Sequence, residues 1–282
     1  MKLRKGGKAV ESYSSATRRF LTHFQLRREG PDLEFLSRLV RAFAQLPYEN
    51  LTKIIKNSRE RDPTRKLRMP DEVIEEHIRY GTGGTCFSLT FTLQQILEGC
   101  GFECYPVMAD RSYGPDTHCA LIVLLQGQKF LVDPGFLLSR PLPLTQDPIA
   151  AYKFPANLVQ LEKSELEHPT RAVSGYRVCT LNGSGKKWRY TLKERPISAE
   201  EFREHWLRSF SWNMMNSLLV TRVMNQNQLY LRDDYLQITG EGEKNKRKIR
   251  TDYARVLSGI FGIPEEIILE AQHVVQQQKC KR

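Results

Sequence analysis

The apolar residues of this chain change their spacing along its length, and that change constrains the fold more than any other feature. Up to about residue 100 they recur at helical intervals, whereas between about residues 118 and 193 they form short runs of strand length. A mixed segment follows. Helices and strands that are segregated along a chain favour an α+β fold over alternating βαβ units. We place the boundaries near residues 82 and 195, with no linker-like stretch between the parts.

Several helices can be predicted from their ends as well as from their spacing. Two helical patterns begin at Pro31 and Pro70, and Pro47 should end the first of them. Apolar residues cover most of the circumference of the segment 87–97, which predicts a buried helix directly after a glycine cluster. A final helix is predicted from Pro264.

Further strands and one more helix are expected after residue 170. The segments 175–182 and 186–193 are predicted strands, and the Asn-Gly pair at 182–183 is a turn signal between them. A helical pattern then returns, because Ser198 with Glu201 three residues later forms a capping box.

A β-hairpin is predicted around a turn-like Gln-Gly-Gln segment between two apolar runs. His118 opens its first strand and Asp133 closes its second. If the turn centres between Leu125 and Gln126, the two residues face each other directly, whereas a turn centred on Gly127 displaces them by three positions. Both registers place the two side chains near the same end of the hairpin and within hydrogen-bond reach.

The formal net charge of the 282-residue chain is +11, from 43 Lys and Arg residues against 32 Asp and Glu residues. Such a charge suits a nucleic-acid binder, a membrane-surface protein or an enzyme for anionic substrates, and it does not choose among them. No stretch approaches the roughly 18 consecutive apolar residues of a membrane span, and no apolar segment follows the basic start. We therefore expect a cytoplasmic protein with mostly reduced thiols, the alternative being a transit peptide before Glu11.

Cys86 lies between a glycine-rich turn and the predicted buried helix. A helix N-terminus favours a thiolate over a thiol, and its unpaired N–H groups can stabilise an oxyanion on an attacked acyl carbon. We assign Gly83 and Gly84 to the oxyanion and turn region, because they allow a sharp turn and the close approach of a substrate. The alternative is that Cys86 is a small buried residue with no chemical role.

His118 and Asp133 complete a candidate catalytic triad with Cys86. A carboxylate at the end of the hairpin can orient an imidazole and favour its charged form, and the imidazole can then take the proton of the thiol. Taken singly, His118 fits a strand-end histidine, and Asp133 fits a turn residue before a proline. The order Cys–His–Asp after paired glycines favours the joint interpretation.

The segments around these residues resemble the motifs of the arylamine N-acetyltransferase family. That family carries Arg-Gly-Gly-x-Cys, a Thr-His or Val-His strand and Asp-x-Gly-Phe, and this chain carries GTGGTCFSL, DTHCALIV and KFLVDPGF. The matching positions are Gly83, Gly84, Cys86, Thr117, His118, Asp133, Gly135 and Phe136. The segments LPYENLTK and RPISAEEF are also similar to family sequences, so the resemblance spans about residues 18 to 270.

The resemblance implies a fold of three parts. These are a helical N-terminal domain at 1–82, a β-barrel-like catalytic domain at 83–195 that carries the triad, and an α/β C-terminal lid at 196–282. The triad would be arranged as in cysteine proteases.

The resemblance also implies a reaction, namely ping-pong acyl transfer. Cys86 would take the acetyl group of acetyl-CoA and pass it to an arylamine, hydrazine or hydroxylamine nitrogen, with His118 as base and Asp133 orienting it. Thr117 and Phe136 would line the acceptor pocket. Acetyl-CoA would be a co-substrate, and we expect no permanently bound cofactor and no nucleic-acid or membrane partner.

Two positions depart from the family motifs. Thr82 stands where the family has its arginine, which the resemblance implies braces the active-site turn; another group must do so here, or the turn is looser. Leu137 stands where the last glycine of Asp-x-Gly-Phe-Gly is expected. Three alternatives therefore stay open: a related thioester-dependent acyltransferase such as an amide synthase acting on a carrier protein, a Cys–His–Asp hydrolase or transglutaminase-like enzyme, and a non-catalytic basic binding protein.

Other clusters give weaker signals. Cys100, Cys104 and Cys119 lack the paired Cys-x-x-Cys spacing of a zinc site, so we expect no metal. Cys119 should face away from His118 along its strand and pack in the core. The basic run 244–250 is expected to be a solvated loop, the alternative being a site for CoA phosphates or an acidic partner.

Overall fold

The structure is a computed structural model, and it describes residues 14–154, 156–166, 173–182, 185–240 and 243–280. The α-helices within these ranges are α1 (Ser15–His23), α2 (Leu33–Phe43), α3 (Leu51–Arg59), α4 (Pro70–Tyr80), α5 (Cys86–Gly99), α6 (Ala199–Arg208), α7 (Tyr253–Phe261) and α8 (Glu265–Cys280). Short 3-10 turns lie at Pro63–Lys66, Ser209–Ser211 and Asn213–Asn216.

The helix ends follow the signals in the sequence. Asp32 caps α2 by accepting a hydrogen bond from the Phe35 N–H at 2.7 Å, and Ser198 caps α6 by accepting one from the Glu201 N–H at 3.1 Å. Gly81, with φ +66°, ends α4 in the left-handed conformation that glycine adopts without strain. The helices predicted from spacing and end signals correspond to α2, α4, α5, α6 and α8 and are confirmed.

The strands within the described ranges are β1 (Tyr48–Glu49), β2 (Glu103–Arg111), β3 (Gly114–Leu125), β4 (Gln128–Val132), β5 (Leu142–Pro143), β6 (Ile149–Lys153), β7 (Leu158–Leu166), β8 (Val173–Asn182), β9 (Gly185–Lys193), β10 (Leu219–Met224), β11 (Asn227–Arg232), β12 (Tyr235–Thr239) and β13 (Lys244–Lys248). The predicted strands at 175–182 and 186–193 are confirmed as β8 and β9. The predicted Asn-Gly turn between them extends outside the described residues at Gly183.

Eight strands form one antiparallel sheet in the order β5-β4-β3-β2-β9-β8-β7-β6. Side chains link its two edges, because the Tyr152 hydroxyl of β6 donates to the Pro143 carbonyl of β5 at 2.8 Å, and Arg140 donates to the Lys153 carbonyl at 2.9 Å. One face of the sheet encloses a single apolar cluster, so the sheet is barrel-like and nearly closed. The buried members of this cluster are Val107, Ala109, Ala120, Ile122, Leu131, Leu138, Leu142, Val159, Leu161, Tyr176, Val178, Tyr190 and Leu192.

A second antiparallel sheet, in the order β1-β10-β11-β12-β13, joins the N-terminal region to the C-terminal region. Tyr48 of β1 pairs with β10 on one side and forms a parallel bridge to Gly84 on the other. The Asn50 side chain accepts a hydrogen bond from the Leu219 N–H and donates one to the Ser217 carbonyl, both at 2.8 Å. The segment at 48–50 therefore fixes the glycine turn against the C-terminal sheet.

The helices form two groups, one on the outer face of the barrel and one on the C-terminal sheet. One apolar cluster joins α1, α2, α4, α5 and α6 to β2, β3 and β4, and another packs α3, α7 and α8 against the C-terminal sheet. Helix α5 is buried over most of its circumference, as predicted, and Cys86 at its N-terminus belongs to the first cluster. The chain is thus a mixed α+β fold, whereas its predicted division at residues 82 and 195 stays a proposal.

The hairpin formed by β3 and β4 has neither of the two predicted registers. Leu121 pairs with Val132 and Leu125 with Gln128, around a two-residue turn at 126–127 in which both φ values are positive. In this register Asp133 is displaced by two positions from the residue that faces His118. A displacement by two keeps a side chain on the same face of a sheet, so the two groups still meet.

The basic run is also corrected in part. Residues 244–248 form the edge strand β13 rather than a loop. Their backbone pairs with β12, and this pairing does not depend on the basic character of their side chains. All five residues of this strand are exposed, and a lysine-rich edge discourages pairing with a further strand. Within the described ranges, no helix has both the length and the apolar character that crossing a membrane requires.

Candidate active site

The three predicted triad residues come together where α5 meets the end of the barrel. Cys86 is the first residue of α5 and is 5% exposed, and His118 and Asp133 are buried. The Nε2 atom of His118 lies 2.7 Å from Oδ2 of Asp133. Because Nε2 is hydrogen-bonded to this carboxylate, Nδ1 is the ring nitrogen that remains available to exchange a proton with Cys86.

The surroundings of the imidazole and the carboxylate hold both in place. Asp133 accepts a second hydrogen bond on Oδ1, from the Phe136 N–H at 2.8 Å. The ring of Tyr190 lies 4.7 Å from the ring of His118, centre to centre, and closes the barrel side of the site. The orientation of His118 is therefore set by a carboxylate that is itself fixed by backbone.

The electrostatics favour a charged His–Cys pair. Burial disfavours the imidazolium form of His118, but the charge of Asp133 and the hydrogen bonds to Asp133 and Cys86 raise the pKa of His118 to about 9. A hydrogen bond from the Cys119 thiol lowers the pKa of Cys86 well below its usual value, and the charges of His118 and Lys53 lower it further against the effect of burial. A thiolate beside an imidazolium is the form of this pair that can attack an acyl carbon.

Cys119 has a role that its position in the strand did not indicate. It is buried in the core cluster beside α5, as expected, but its thiol also contacts Cys86. The Cys119 sulfur lies 3.6 Å from Oγ1 of Thr90. Burial together with the hydrogen bond and charge of Cys86 raises the pKa of Cys119, so Cys119 is the thiol and Cys86 the thiolate of this pair.

Lys53 is a second residue near Cys86 that no sequence pattern indicates. Its ammonium group is buried, donates to the Ser209 carbonyl at 3.0 Å and lies 4.4 Å from the centre of the Phe210 ring. Burial lowers the pKa of Lys53 to about 7, although the nearby charge of Cys86 opposes that shift. No sequence signal distinguishes this lysine from the exposed ones, because its burial depends on a segment about 155 residues away.

The two glycines before Thr85 form a turn whose N–H groups already have acceptors. The Gly83 N–H donates to Oε1 of Glu49 at 3.3 Å, and the Gly84 N–H donates to the Pro47 carbonyl at 3.3 Å. The oxyanion role of Gly83 and Gly84 stays a prediction, which would require these donors to leave their present acceptors. In the part of the chain that the structure describes, no acceptor occupies the first N–H groups of α5, and the N-cap gives no side-chain hydrogen bond.

The two predicted pocket residues lie beside the site in different ways. The Thr117 hydroxyl donates its hydrogen to the Gly114 carbonyl at 2.7 Å, at the start of β3. The Phe136 ring packs edge-on against Tyr190, with ring centres 5.7 Å apart, on the barrel side. Contact of either residue with an acceptor stays a prediction. Within the described residues, no group of three or more His, Cys, Asp or Glu side chains is placed to hold a metal ion.

Comparison with protein-family models matches residues 32–268 of the chain to the family described as N-acetyltransferase. The chain belongs to the N-acetyltransferase family. It is therefore an acyltransferase, and the resemblance found in its motifs is confirmed. A comparison with curated protein sequences gives no match.

Solved structures share the fold of this N-acetyltransferase. The arylamine N-acetyltransferase of Mycobacterium abscessus is 20% identical, with a TM-score of 0.77 over 92% of this chain and 94% of that chain. The enzyme of Salmonella typhimurium is 19% identical, with a TM-score of 0.74 over 94% and 100%. An arylamine N-acetyltransferase of Bacillus cereus, described as having a unique Cys-His-Glu catalytic triad, is 19% identical, with a TM-score of 0.69 over 89% and 99%. At these identities the likeness shows the fold.

Leu137, which replaces the expected family glycine, keeps the backbone conformation of a glycine. Its φ is +57°, and its side chain is buried in the cluster beside α5. A left-handed conformation costs a non-glycine residue about 1–2 kcal/mol, so the burial of the leucine side chain must offset that strain. The N-acetyltransferase thus has a left-handed residue in the turn after Asp133, with an apolar side chain next to the site.

Proposed function

We propose that this N-acetyltransferase carries an acetyl group from acetyl-CoA to the nitrogen of an arylamine, hydrazine or hydroxylamine through an acetyl-Cys86 intermediate. The observation that carries the proposal is the buried chain of Cys86, His118 and Asp133 at the N-terminus of α5, with 2.7 Å between Nε2 and Oδ2. The arylamine N-acetyltransferases that share the fold support the choice of acceptor.

The first half-reaction acylates the thiolate. The Cys86 sulfur attacks the thioester carbonyl of acetyl-CoA, and the carbon–oxygen π electrons move onto the oxygen of a tetrahedral intermediate. We assign the stabilisation of that oxygen to the N–H groups of the first turn of α5, for which the described residues supply no acceptor. The intermediate then collapses with loss of the CoA sulfur, which takes the proton from His118 and leaves as CoA thiol.

The second half-reaction returns the enzyme to its starting state. The amine nitrogen attacks the carbonyl carbon of acetyl-Cys86 while the now neutral His118 accepts a proton from it. The bond between carbon and the Cys86 sulfur breaks, and the amide leaves. Cys86 is again a thiolate and His118 an imidazolium, held in orientation by Asp133 throughout.

The charge and the cysteines of the chain fit this proposal. The net charge of +11 attracts CoA, whose phosphates are anionic. The six cysteines are free thiols, which supports a reducing compartment, and we place the enzyme in the cytoplasm. Acetyl-CoA enters as a co-substrate, so the chemistry proposed uses only side chains and backbone of this chain.

Two-substrate kinetics test the ping-pong scheme. Initial rates of CoA thiol release are measured while acetyl-CoA and an arylamine such as an aminobenzoate or an alkoxyaniline are varied together. Parallel double-reciprocal lines are expected, because CoA leaves before the amine reacts. Intersecting lines, or thiol release that no amine accelerates, would contradict the proposal. Cys86→Ser serves as the matched control, since it keeps the size of the side chain and removes the thiolate.

A second candidate function, amide formation from an acyl carrier protein, is favoured by two observations. Leu137 replaces the expected family glycine beside the site, and the edge strand Lys244–Lys248 exposes a row of basic side chains that suits an acidic partner. The same thiol-release assay with an acylated carrier protein as donor distinguishes it: a higher kcat/KM for the carrier than for acetyl-CoA would replace the first proposal.

A further inference from the structure

Arg68 is a buried guanidinium next to the active-site turn. It lies between the 3-10 turn at Pro63–Lys66 and α4, and its side chain is 3% exposed. Its Nη1 atom donates to the Gly83 carbonyl at 2.5 Å, and its Nη2 atom donates to the carboxylate of Glu76. Burying a charge costs free energy unless the charge is paired and hydrogen-bonded. One donor of this guanidinium therefore binds a carboxylate of α4, and another binds a backbone carbonyl of the active-site turn.

Glu49 holds the same peptide from the other side. Its Oε1 atom accepts the Gly83 N–H at 3.3 Å and lies 3.6 Å from Nη1 of Arg68, and its Oε2 atom accepts the Thr52 N–H at 3.0 Å. The N–H and the C=O of Gly83 are thus both bound by members of one buried ion pair. A Cβ on Gly84 would lie 3.2 Å from Nη1 of Arg68, so the guanidinium packs directly against the turn.

The residue that precedes the glycines does not brace the turn. The Thr82 side chain is buried, and its hydroxyl has no hydrogen-bond partner in the described part of the chain. The Thr82 carbonyl accepts a hydrogen bond from Nδ1 of His77 at 2.8 Å. Thr82 is therefore held through its backbone, and its side chain takes no part in this contact.

We propose that Arg68 is the positioning residue of this active site, which supplies from the segment before α4 the brace that residue 82 lacks. By holding the Gly83 carbonyl three residues before Cys86, it fixes the path of the chain into α5 and thereby aims the Cys86 sulfur at His118. Without the guanidinium, the buried carboxylate of Glu49 loses its charged partner, and the Gly83 carbonyl loses its donor. This inference rests on the proposed role of Cys86 as the nucleophile.

The test measures the reactivity of Cys86 without any acyl donor. Iodoacetamide alkylation is followed by peptide mass across pH 5 to 10 in the wild type and in Arg68→Lys. Lysine keeps the charge beside Glu49, but it lacks the planar fork that reaches Gly83 and Glu76 together. We expect the midpoint of alkylation to rise by about one pH unit. At a pH below both midpoints the alkylation rate should fall about 10-fold, since one pKa unit is there a factor of 10 in thiolate.

Arg19→Lys is the matched control, because Arg19 also pairs with a glutamate of α4, Glu75, but at the surface and away from the turn. It should alkylate with the wild-type profile. Arg68→Met should shift the midpoint further than Arg68→Lys wherever circular dichroism shows it folded.

A wild-type pH profile in Arg68→Lys would overturn the proposal, and it would do so whether or not Arg68→Met folds. The failure of the proposed function looks different: the wild type itself would then show the alkylation midpoint of an ordinary thiol or form no acetyl adduct. A merely structural role of Arg68 would lower the thermal midpoint of unfolding and leave the alkylation midpoint of the folded enzyme unchanged.

Discussion

Gly135 lies directly against Cys86. A Cβ on residue 135 would stand 2.7 Å from the Cβ of Cys86, 3.0 Å from its Cα and 3.0 Å from Cε1 of His118. Real Cβ atoms essentially never approach other heavy atoms within 3.0 Å, so any side chain at this position must push the sulfur and the imidazole apart. The glycine is needed for this close approach and not for its φ, which is not in the left-handed region.

Gly135→Ala is therefore expected to lower kcat by about 100-fold, because a displacement near 1 Å in a reacting pair costs that much. The acetylation rate of Cys86, measured by rapid quench and mass, checks it. Gly259→Ala is the control, since a Cβ there meets no heavy atom within 4 Å and alanine suits the interior of α7. Equal acetylation rates in Gly135→Ala and the wild type would refute the steric argument.

Cys119→Ala should raise the pKa of Cys86, because the strongest single contribution that lowers it is the hydrogen bond from the Cys119 thiol. The pH midpoint of Cys86 alkylation is expected to move upward, and the acyl-transfer rate at pH 7 should fall. Cys119→Ser keeps a hydrogen-bond donor and should lie close to the wild type. If the alanine and serine variants give the same midpoint, the hydrogen bond is not the cause.

Asp133→Asn removes the charge that raises the pKa of His118 to about 9. We expect the pKa of His118 to fall, so that the imidazolium is lost at neutral pH, and activity to drop by roughly 10⁴-fold, as when the orienting carboxylate of a triad is replaced by an amide. In the wild type, activity should decline as the pH rises above about 9, where His118 loses its proton. NMR titration of the imidazole tests the first statement; an unchanged His118 pKa in the variant would exclude Asp133 as its cause.

Lys53 should make the stability of the fold depend on pH. Burial lowers its pKa to about 7, below the 10.5 of an exposed lysine, so between these values the unfolded state binds more protons than the folded state. Stability contributed by this group therefore rises with pH across that window, by up to about 1.4 kcal/mol per pH unit, and is lowest below pH 7.

Lys53→Met is expected to abolish this rise and to be more stable than the wild type near pH 7, because it removes a buried charge. Urea unfolding at pH 7, 8 and 9 measures the difference, which should shrink as the pH increases. A difference that stays constant over the three values would show that Lys53 does not titrate in this range.

The helices and the meeting of Cys86, His118 and Asp133 could be predicted because their signals are local. Periodicity and capping residues such as Asp32 and Ser198 fix where helices begin, and paired glycines before Cys86 indicate a turn into a helix. The hairpin illustrates how a wrong register can still give the right contact. His118 and Asp133 meet because the observed displacement by two positions keeps both on one face, which depends on the period of a strand and not on the turn itself.

The remaining features depend on partners that are distant in the sequence. Glu49 takes the Gly83 N–H that the sequence suggested as an oxyanion donor, and the brace on the same peptide comes from Arg68. The burial of Lys53 depends on Ser209, and the contact between Cys119 and Cys86 depends on how α5 packs on β3. Spacing and composition carry no information on such contacts, because each is decided by tertiary packing.

We propose that Cys86 carries the acetyl group between the two substrates. The intact mass of the enzyme after brief exposure to acetyl-CoA, followed by addition of an arylamine, tests this role. We expect one acetyl group on the wild type, located on Cys86, which disappears as the acetylated amine forms and which Cys86→Ala never acquires. An unmodified wild-type mass, or an adduct on another residue that the amine does not remove, would contradict it.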